Sequence, residues 1–362
     1  MVWAPTTDQI LNLDGVRRRA DRFRFELCDR DLRPIGQLHP DRSSSVISVQ
    51  NDVSNRTSRR LTNFKLLPDE AAYVNTVSDR LRVYMVLQNG VEFRLGTFVW
   101  ADENKPRRSW GDEKHAQLVD YNYILDKDTT QAFGWGRGAT IVLIMIFLLN
   151  RAGFQLEQIS TIGPEAERGL ADPMSWQPGA TWSQMLTDLC NLVGFASPWF
   201  DRDGILHLDQ PPDPAFNSPS VPAYGLDTRI ISDSILFSSG LLNAPNDFGM
   251  FDSGTSQLRA GRYQLPASAP HSFANRGYRI GQTQSVQGTS SQDIVNKGAR
   301  TLAQTSDVFE FVTFSSTLDP RHDTYEIVPA FNLNWLETGW NMELTSGGAM
   351  QHTMRRIFYD VV

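Results

Sequence analysis

Six histidines, at positions 39, 115, 207, 271, 322 and 352, are the first side chains to weigh for metal or acid-base chemistry, and none lies closer than 30 positions to the next. A helical pair of the H-E-x-x-H kind is therefore impossible, and local spacing predicts no metal ligands. Cys28 and Cys190 are the only cysteines. A disulfide framework or a four-thiolate site would need more of them, so both are expected as buried thiols. A serine nucleophile should sit in a G-x-S-x-G elbow, which does not occur. The carboxylate pairs Asp29/Asp31, Asp102/Glu103, Asp112/Glu113 and Asp201/Asp203 fall in turn-like sequence, where solvated acids are the default. Asp201-Arg202-Asp203-Gly204 opens like a calcium loop but lacks the later ligands and the distal Glu. It is predicted to be a hairpin turn. No catalytic, cofactor-binding or metal-binding residue emerges, and the chain is expected not to be an enzyme and to need no cofactor.

Three glycines in Phe133-Gly134-Trp135-Gly136-Arg137-Gly138 could cradle phosphate, but no Lys-Ser/Thr follows. A flexible joint is expected instead. Nine tryptophans invite a sugar-stacking reading. Trp182 lies on a helical stripe and Trp100, Trp199, Trp335 and Trp340 lie in strand patterns, and Trp3, Trp110 and Trp135 are among the others that could be exposed for such a role. Arg17, Arg18, Arg19, Arg22 and Arg24 form a basic cluster, with Arg56, Arg59 and Arg60 further on. Little aromatic interleaving accompanies them, so docking on an acidic protein partner is expected rather than nucleic-acid binding.

The elements that would carry these residues are mostly strands. FRFEL at 23–27, SVISV at 45–49, RLTNFKLL at 60–67, RLRVYMVL at 80–87 and VEFRLGTFVW at 91–100 include several alternating runs, as in strands with one buried face. Asn89-Gly90 between the last two predicts a two-residue type I′ hairpin turn. Gln117 to Leu125 is expected as a further strand. Ala139 to Arg151 is apolar all round and ends at Gly153, which predicts a helix buried between neighbours. Thr181 and Gln184 form a capping box ahead of Trp182, Met185, Leu186, Leu189, Cys190 and Val193, one face of a helix that Gly194 closes. Five prolines between 211 and 222 predict a domain boundary. Beyond it, RIISDSILF at 229–237 is an apolar island and Gln292 to Ala303 is predicted helical. Strands follow at 309–316, 324–336, 339–347 and 350–362.

With 362 residues and 40% hydrophobic content the chain can bury a substantial core. Its longest apolar run, 139–149, falls short of the ~18 residues needed to cross a bilayer, and the N-terminus does not read as a signal peptide. Net charge is −7. Residues 1–60 carry eleven Arg against seven Asp and one Glu, so a basic leading segment precedes an acidic body.

Taken in order, four stretches resemble the baseplate-hub or tail-tip hub proteins, often called minor tail proteins, of long-tailed bacteriophages. They are RLRVYMVLQNGVEFRLGTFVW with its LG-x-F/Y ending, WQPGATWSQMLTDLCNLVGF followed by the D-x-D-G hairpin, NRGYRIG at 275–281, and GWNMELTSGGAMQHTMRR near the end. The resemblance runs from about residue 20. It implies a β-rich α+β fold with two tail-tube-like antiparallel β-barrel domains, at 21–128 and 223–362. An arm at 1–20 would precede them, and a small helix-containing α/β domain at 129–222 would lie between. It further implies a structural virion protein at the distal end of the tail, a homotrimer that adapts a sixfold tail to a threefold tip. Its partners would be the distal tail protein ring, the tape-measure protein and downstream tail-tip or fibre proteins, with genomic DNA passing through unbound. The acidic body suits such a channel, because like charges repel DNA. Two other readings stay open: a polysaccharide or peptidoglycan hydrolase or carbohydrate-binding receptor module, and, nearer, the distal tail protein itself.

Overall fold

The computed structural model describes residues 22–357 apart from 41–44, 52–56, 105–106, 109–110, 161, 211, 213–216, 220–223, 225–229, 232–234, 240–244, 252–259, 268–270 and 286–308. The predicted helix at 292–303 and the arm at 1–20 lie outside the described residues, as do Trp3 and Trp110.

The first β unit is built from β1 (Arg22–Cys28), β2 (Pro34–Leu38), β3 (Val46–Asn51), β4 (Thr57–Leu66), β5 (Arg80–Val86), β6 (Glu92–Asn104) and β7 (Lys114–Val119). In β4 and β5 buried positions alternate with more exposed ones, as the sequence pattern predicts. The β5–β6 connection is one residue longer than Asn-Gly suggests. Leu87 and Val91 close it around Gln88, Asn89 and Gly90 through Leu87 N–H to Val91 O at 2.9 Å. Gly90 alone takes positive φ, 82°. This is a three-residue loop with glycine in the left-handed position, rather than type I′. The strand expected over 117–125 stops at Val119. There the Asp120 carboxylate accepts from the Arg59 and Asn122 backbone N–H groups, and residues 122–125 turn into a short helix.

A small unit follows. β8 (Phe133–Trp135) pairs with β9 (Met174–Trp176), so the first half of the glycine-rich segment, expected as a flexible joint, is a strand, and Gly136 to Gly138 turn out of it. The ring of Phe133 stacks on that of Trp135 at 6.2 Å, and both pack on Phe147. Helices α1 (Ile141–Ala152) and α2 (Trp182–Val193) end at Gly153 and Gly194 with φ of 101° and 83°. Thr181 Oγ1 caps α2 by accepting from Gln184 N–H. Helix α1 buries Ile141, Ile144, Met145, Leu148 and Leu149, but leaves Leu143 and Phe147 exposed. It is covered on one side within this chain, not on all sides as its composition suggests. β10 (Trp199–Phe200) and β11 (Leu206–His207) form the predicted hairpin around Asp201 to Gly204.

The second β unit contains β12 (Leu236–Ser239), a three-stranded sheet of β13 (Asp247–Phe251), β14 (Ala260–Gln264) and β15 (Gly281–Ser285), then β16 (Phe309–Thr317), β17 (Ile327–Ala330), β18 (Leu333–Glu343) and β19 (Ala349–Ile357). The run expected as one strand at 324–336 breaks between β17 and β18, and the strand expected at 339–347 is the continuation of β18. Phe331 and Asn332 turn with φ of 54° and 63°, and Phe331 is held by Phe237 and Phe314 at 5.4 Å each. That packing offsets the strain of a bulky residue at positive φ.

Twelve strands join in one sheet in the order β12, β16, β19, β18, β3, β4, β7, β6, β5, β1, β2, with β17 beside β18. The two β units therefore meet at a seam, the antiparallel pairing of β3 with β18 from Gln50 opposite Gly339 to Val46 opposite Glu343. Trp340, Met342, Leu344 and Met350 enter the core of the first unit beside Phe64, Phe98 and Leu118. The helical unit has its own core, with Ile144, Leu148, Met185, Leu189 and Phe200. A third core holds Val312, Phe314, Val328, Trp335 and Met354. Both cysteines are free and buried.

Candidate functional site

The basic cluster is only partly described, since Arg17, Arg18 and Arg19 lie outside the described residues. Arg22 is exposed at the start of β1. Arg24 spends its charge within the chain, 2.6 Å from Glu92 and 2.7 Å from Glu26, with its guanidinium 4.0 Å above the Tyr84 ring. Arg60 is exposed, but Arg59 is 1% exposed and faces inward. Among the carboxylate pairs, Asp29 and Asp201 tie their own turns through backbone N–H groups, as the turn reading predicts.

Arg59 belongs to a junction of all three units. From β4 its Nη1 donates to Leu95 O at 2.7 Å, and its Nη2 pairs with Asp323 and reaches Thr324 Oγ1. Arg202, at the tip of the β10–β11 hairpin, donates from Nε to the other oxygen of Asp323 at 2.8 Å, and to Pro320 O and Arg321 O. Asp323 thus holds one guanidinium from the first unit and one from the helical unit. Burial opposes its charge, yet Arg59 and Arg202 outweigh it and pull the carboxyl down to about 2. Trp340 Nε1 donates to Asp323 O at 2.7 Å, and Thr97 donates to Arg202 O. Gly204 leaves room for this approach, because a Cβ there would meet Tyr121 at 2.9 Å. The hairpin also contains His207, stacked on Trp199 at 4.1 Å and bonded to Asp201 Oδ2. Burial works against protonation, but Asp201 and Asp209 push its pKa up to about 9.

The second cluster is one that local spacing gave no sign of. His322 Nδ1 and His352 Nδ1 lie 2.5 and 2.6 Å from the two oxygens of Glu337, all three residues being fully buried. The far nitrogens are held as well, His322 Nε2 by Tyr224 Oη at 2.6 Å and His352 Nε2 by Ser316 Oγ at 2.7 Å. Burial opposes the Glu337 charge, but the two imidazoles keep its carboxyl below the usual range. Nearby Glu326 is pushed up to about 7 by burial. His322, Glu337 and His352 are each 15 positions from the next; strand register sets Glu337 near His352, and the loop before β17 brings in His322. An irregularity between Glu337 and Gly339 in the β18–β19 pairing sets that register, with Trp340 opposite His352. The expectation of no metal-ligand grouping followed from local spacing, which says nothing about contacts across strands.

Two mostly antiparallel β units fused at a seam, with a helical unit clamped onto both, define a fold shared with phage tail proteins. The chain is similar to a tail protein from Neisseria meningitidis MC58, with a TM-score of 0.59 and 12% identity over 92% of this chain and 96% of that one. It is similar to the 43 kDa tail protein of prophage MuSo2 from Shewanella oneidensis, with a TM-score of 0.61 and 10% identity over 93% and 98%. The prophage tail protein gp18 from Listeria monocytogenes EGD-e matches with a TM-score of 0.56 and 13% identity over 92% and 94%. No protein-family profile matches the sequence, and no curated protein matches it.

Proposed function

We propose that the chain is a structural subunit of a phage tail tip, a hub protein that assembles as a homotrimer at the distal end of the tail. The observation that carries this reading is correspondence over nearly the whole length of both chains with prophage tail proteins, at 92 to 93% of this chain and 94 to 98% of theirs. In this reading the two β units, each a tail-tube-like barrel, occupy successive positions around a ring. Three subunits then present six β units to the tail and three helical units to the tip. The arm at 1–20, the helical domain at 129–222 and the second barrel at 223–362 keep the boundaries drawn from sequence. In this reading the chain is a structural part rather than an enzyme.

The ring would seat on the distal tail protein ring, receive the tape-measure protein and carry downstream tip or fibre proteins. DNA would pass without binding, since the acidic body repels phosphate. Arg17, Arg18, Arg19 and Arg22 would dock on a neighbouring tail component, while Arg24 shapes β1. Native mass measurement tests the assembly. A species of three times the 40.8 kDa chain is expected; a stable hexamer would instead favour the distal tail protein, and a monomer within purified particles would overturn the hub. Charge reversal at Arg17, Arg18 and Arg19 is expected to weaken docking most at low salt, and unchanged docking refutes that role. Clearing of a cell-wall gel by the pure protein would favour the hydrolase.

A further inference from the structure

We infer that His322, Glu337 and His352 form a binding site for a divalent transition metal of the zinc class inside the second β unit, with Glu326 as a fourth ligand. This inference does not depend on the tail reading. Ser316 Oγ lies 2.8 Å from Thr317 O and 2.7 Å from His352 Nε2 and can donate to either. When it donates to Thr317 O, His352 Nε2 carries the ring hydrogen and Nδ1 is left with its lone pair, the form in which an imidazole binds a metal. That Nδ1 lies 2.6 Å from Glu337 Oε1. A cation between the two atoms suits this tautomer.

A proton or a metal ion can fill that gap, and the unpartnered carboxylate oxygen beside it favours the metal. Asp319 is matched by Arg321, and Asp323 by Arg59 and Arg202. Glu337 has two imidazoles and no guanidinium in contact. Glu326 points Oε2 toward His322 Nδ1 at 3.9 Å, and that buried oxygen has no hydrogen-bond partner. Its other oxygen lies 3.9 Å from Arg202. The ligand set of a divalent ion there would be two imidazole nitrogens and two carboxylate oxygens. That set suits tetrahedral zinc, at about 2.0 to 2.2 Å per ligand. The three inner ligand atoms already lie within 4.8 Å of one another, so small side-chain rotations open the site. Tyr224 and Ser316, on the far nitrogens, are the outer partners that orient ligating histidines.

The test uses the tag-free full chain produced in zinc-supplemented medium, passed over a sizing column and assayed for metal by mass spectrometry. Close to one zinc per chain is expected, falling several-fold in Glu326→Gln and further in His352→Gln or His322→Gln. Production with cobalt(II) instead should give the intense visible bands of a tetrahedral site, which an ion held loosely on the surface does not show. Less than a tenth of a zinc per chain in the wild type overturns the inference. So does zinc that Glu326→Gln, a rim change expected to fold even where the histidine variants do not, retains in full without loss of the cobalt bands.

Discussion

Asp323 takes up charges from positions that sequence keeps far apart: Arg59 lies 264 residues before it and Arg202 lies 121 before it. Replacing it with Asn preserves size but leaves Arg59 buried without a counter-charge and Arg202 with only the more distant Glu326, and breaking such a buried pair typically costs about 3 kcal/mol or more. Asp323→Asn should lower the urea midpoint without changing the slope. Asp323 has a depressed pKa, so its contribution is present above the ordinary carboxyl value and is lost as pH falls through about 2. His207 runs the other way. Its pKa is raised to about 9, so its contribution is complete below the ordinary histidine value and disappears as pH climbs through about 9. An imidazole titration followed by NMR should place His207 near that value, and Asp201→Asn should bring it back toward neutrality. None of these pairings can be read from sequence, because a charge names no partner until strands bring one within reach.

Among the elements, those whose signal is local were legible. Alternation in β4 and β5, the Thr181 cap and the glycine stops of both helices all follow from residues within one turn or two of each other. Thr181→Ala should cost about 1 kcal/mol through loss of the bond to Gln184 N–H, read as a small drop in melting temperature. Misreadings came where a neighbour far along the chain decides the outcome. The first half of the glycine-rich segment becomes β8 because Met174 to Trp176 pairs with it, and only Gly138 of the segment's three glycines takes positive φ. The long run at 324–336 folds back because aromatic rings from β12 and β16 stabilise Phe331 in a conformation that its side chain disfavours alone. At the seam, a Cβ on Gly339 would meet Val49 O at 2.9 Å. Gly339→Val should therefore push β3 and β18 apart and destabilise both β units together, visible as one shifted transition rather than two.

At the scale of the whole molecule, the division into domains that the proline-rich stretch suggests is not a division into independent folding units. The first unit depends on β18 for the partner of β3, and on Trp340, Met342, Leu344 and Met350 for part of its core. A fragment ending at residue 222 should fail to give a dispersed amide NMR spectrum, while the intact chain unfolds in one transition; a well-folded fragment would refute the dependence. Gln50 and Asn341, hydrogen-bonded across the seam at 3.4 Å, stand 291 positions apart. During synthesis, at roughly 5 to 20 residues per second, β3 emerges on the order of 15 to 60 s before its partner exists. Through that interval the nascent chain carries an unpaired strand edge, the kind of surface that seeks other chains. Ribosomes stalled before residue 333 should therefore yield products that aggregate or recruit chaperones, and the yield of soluble protein will depend on how fast the message between β3 and β18 is read.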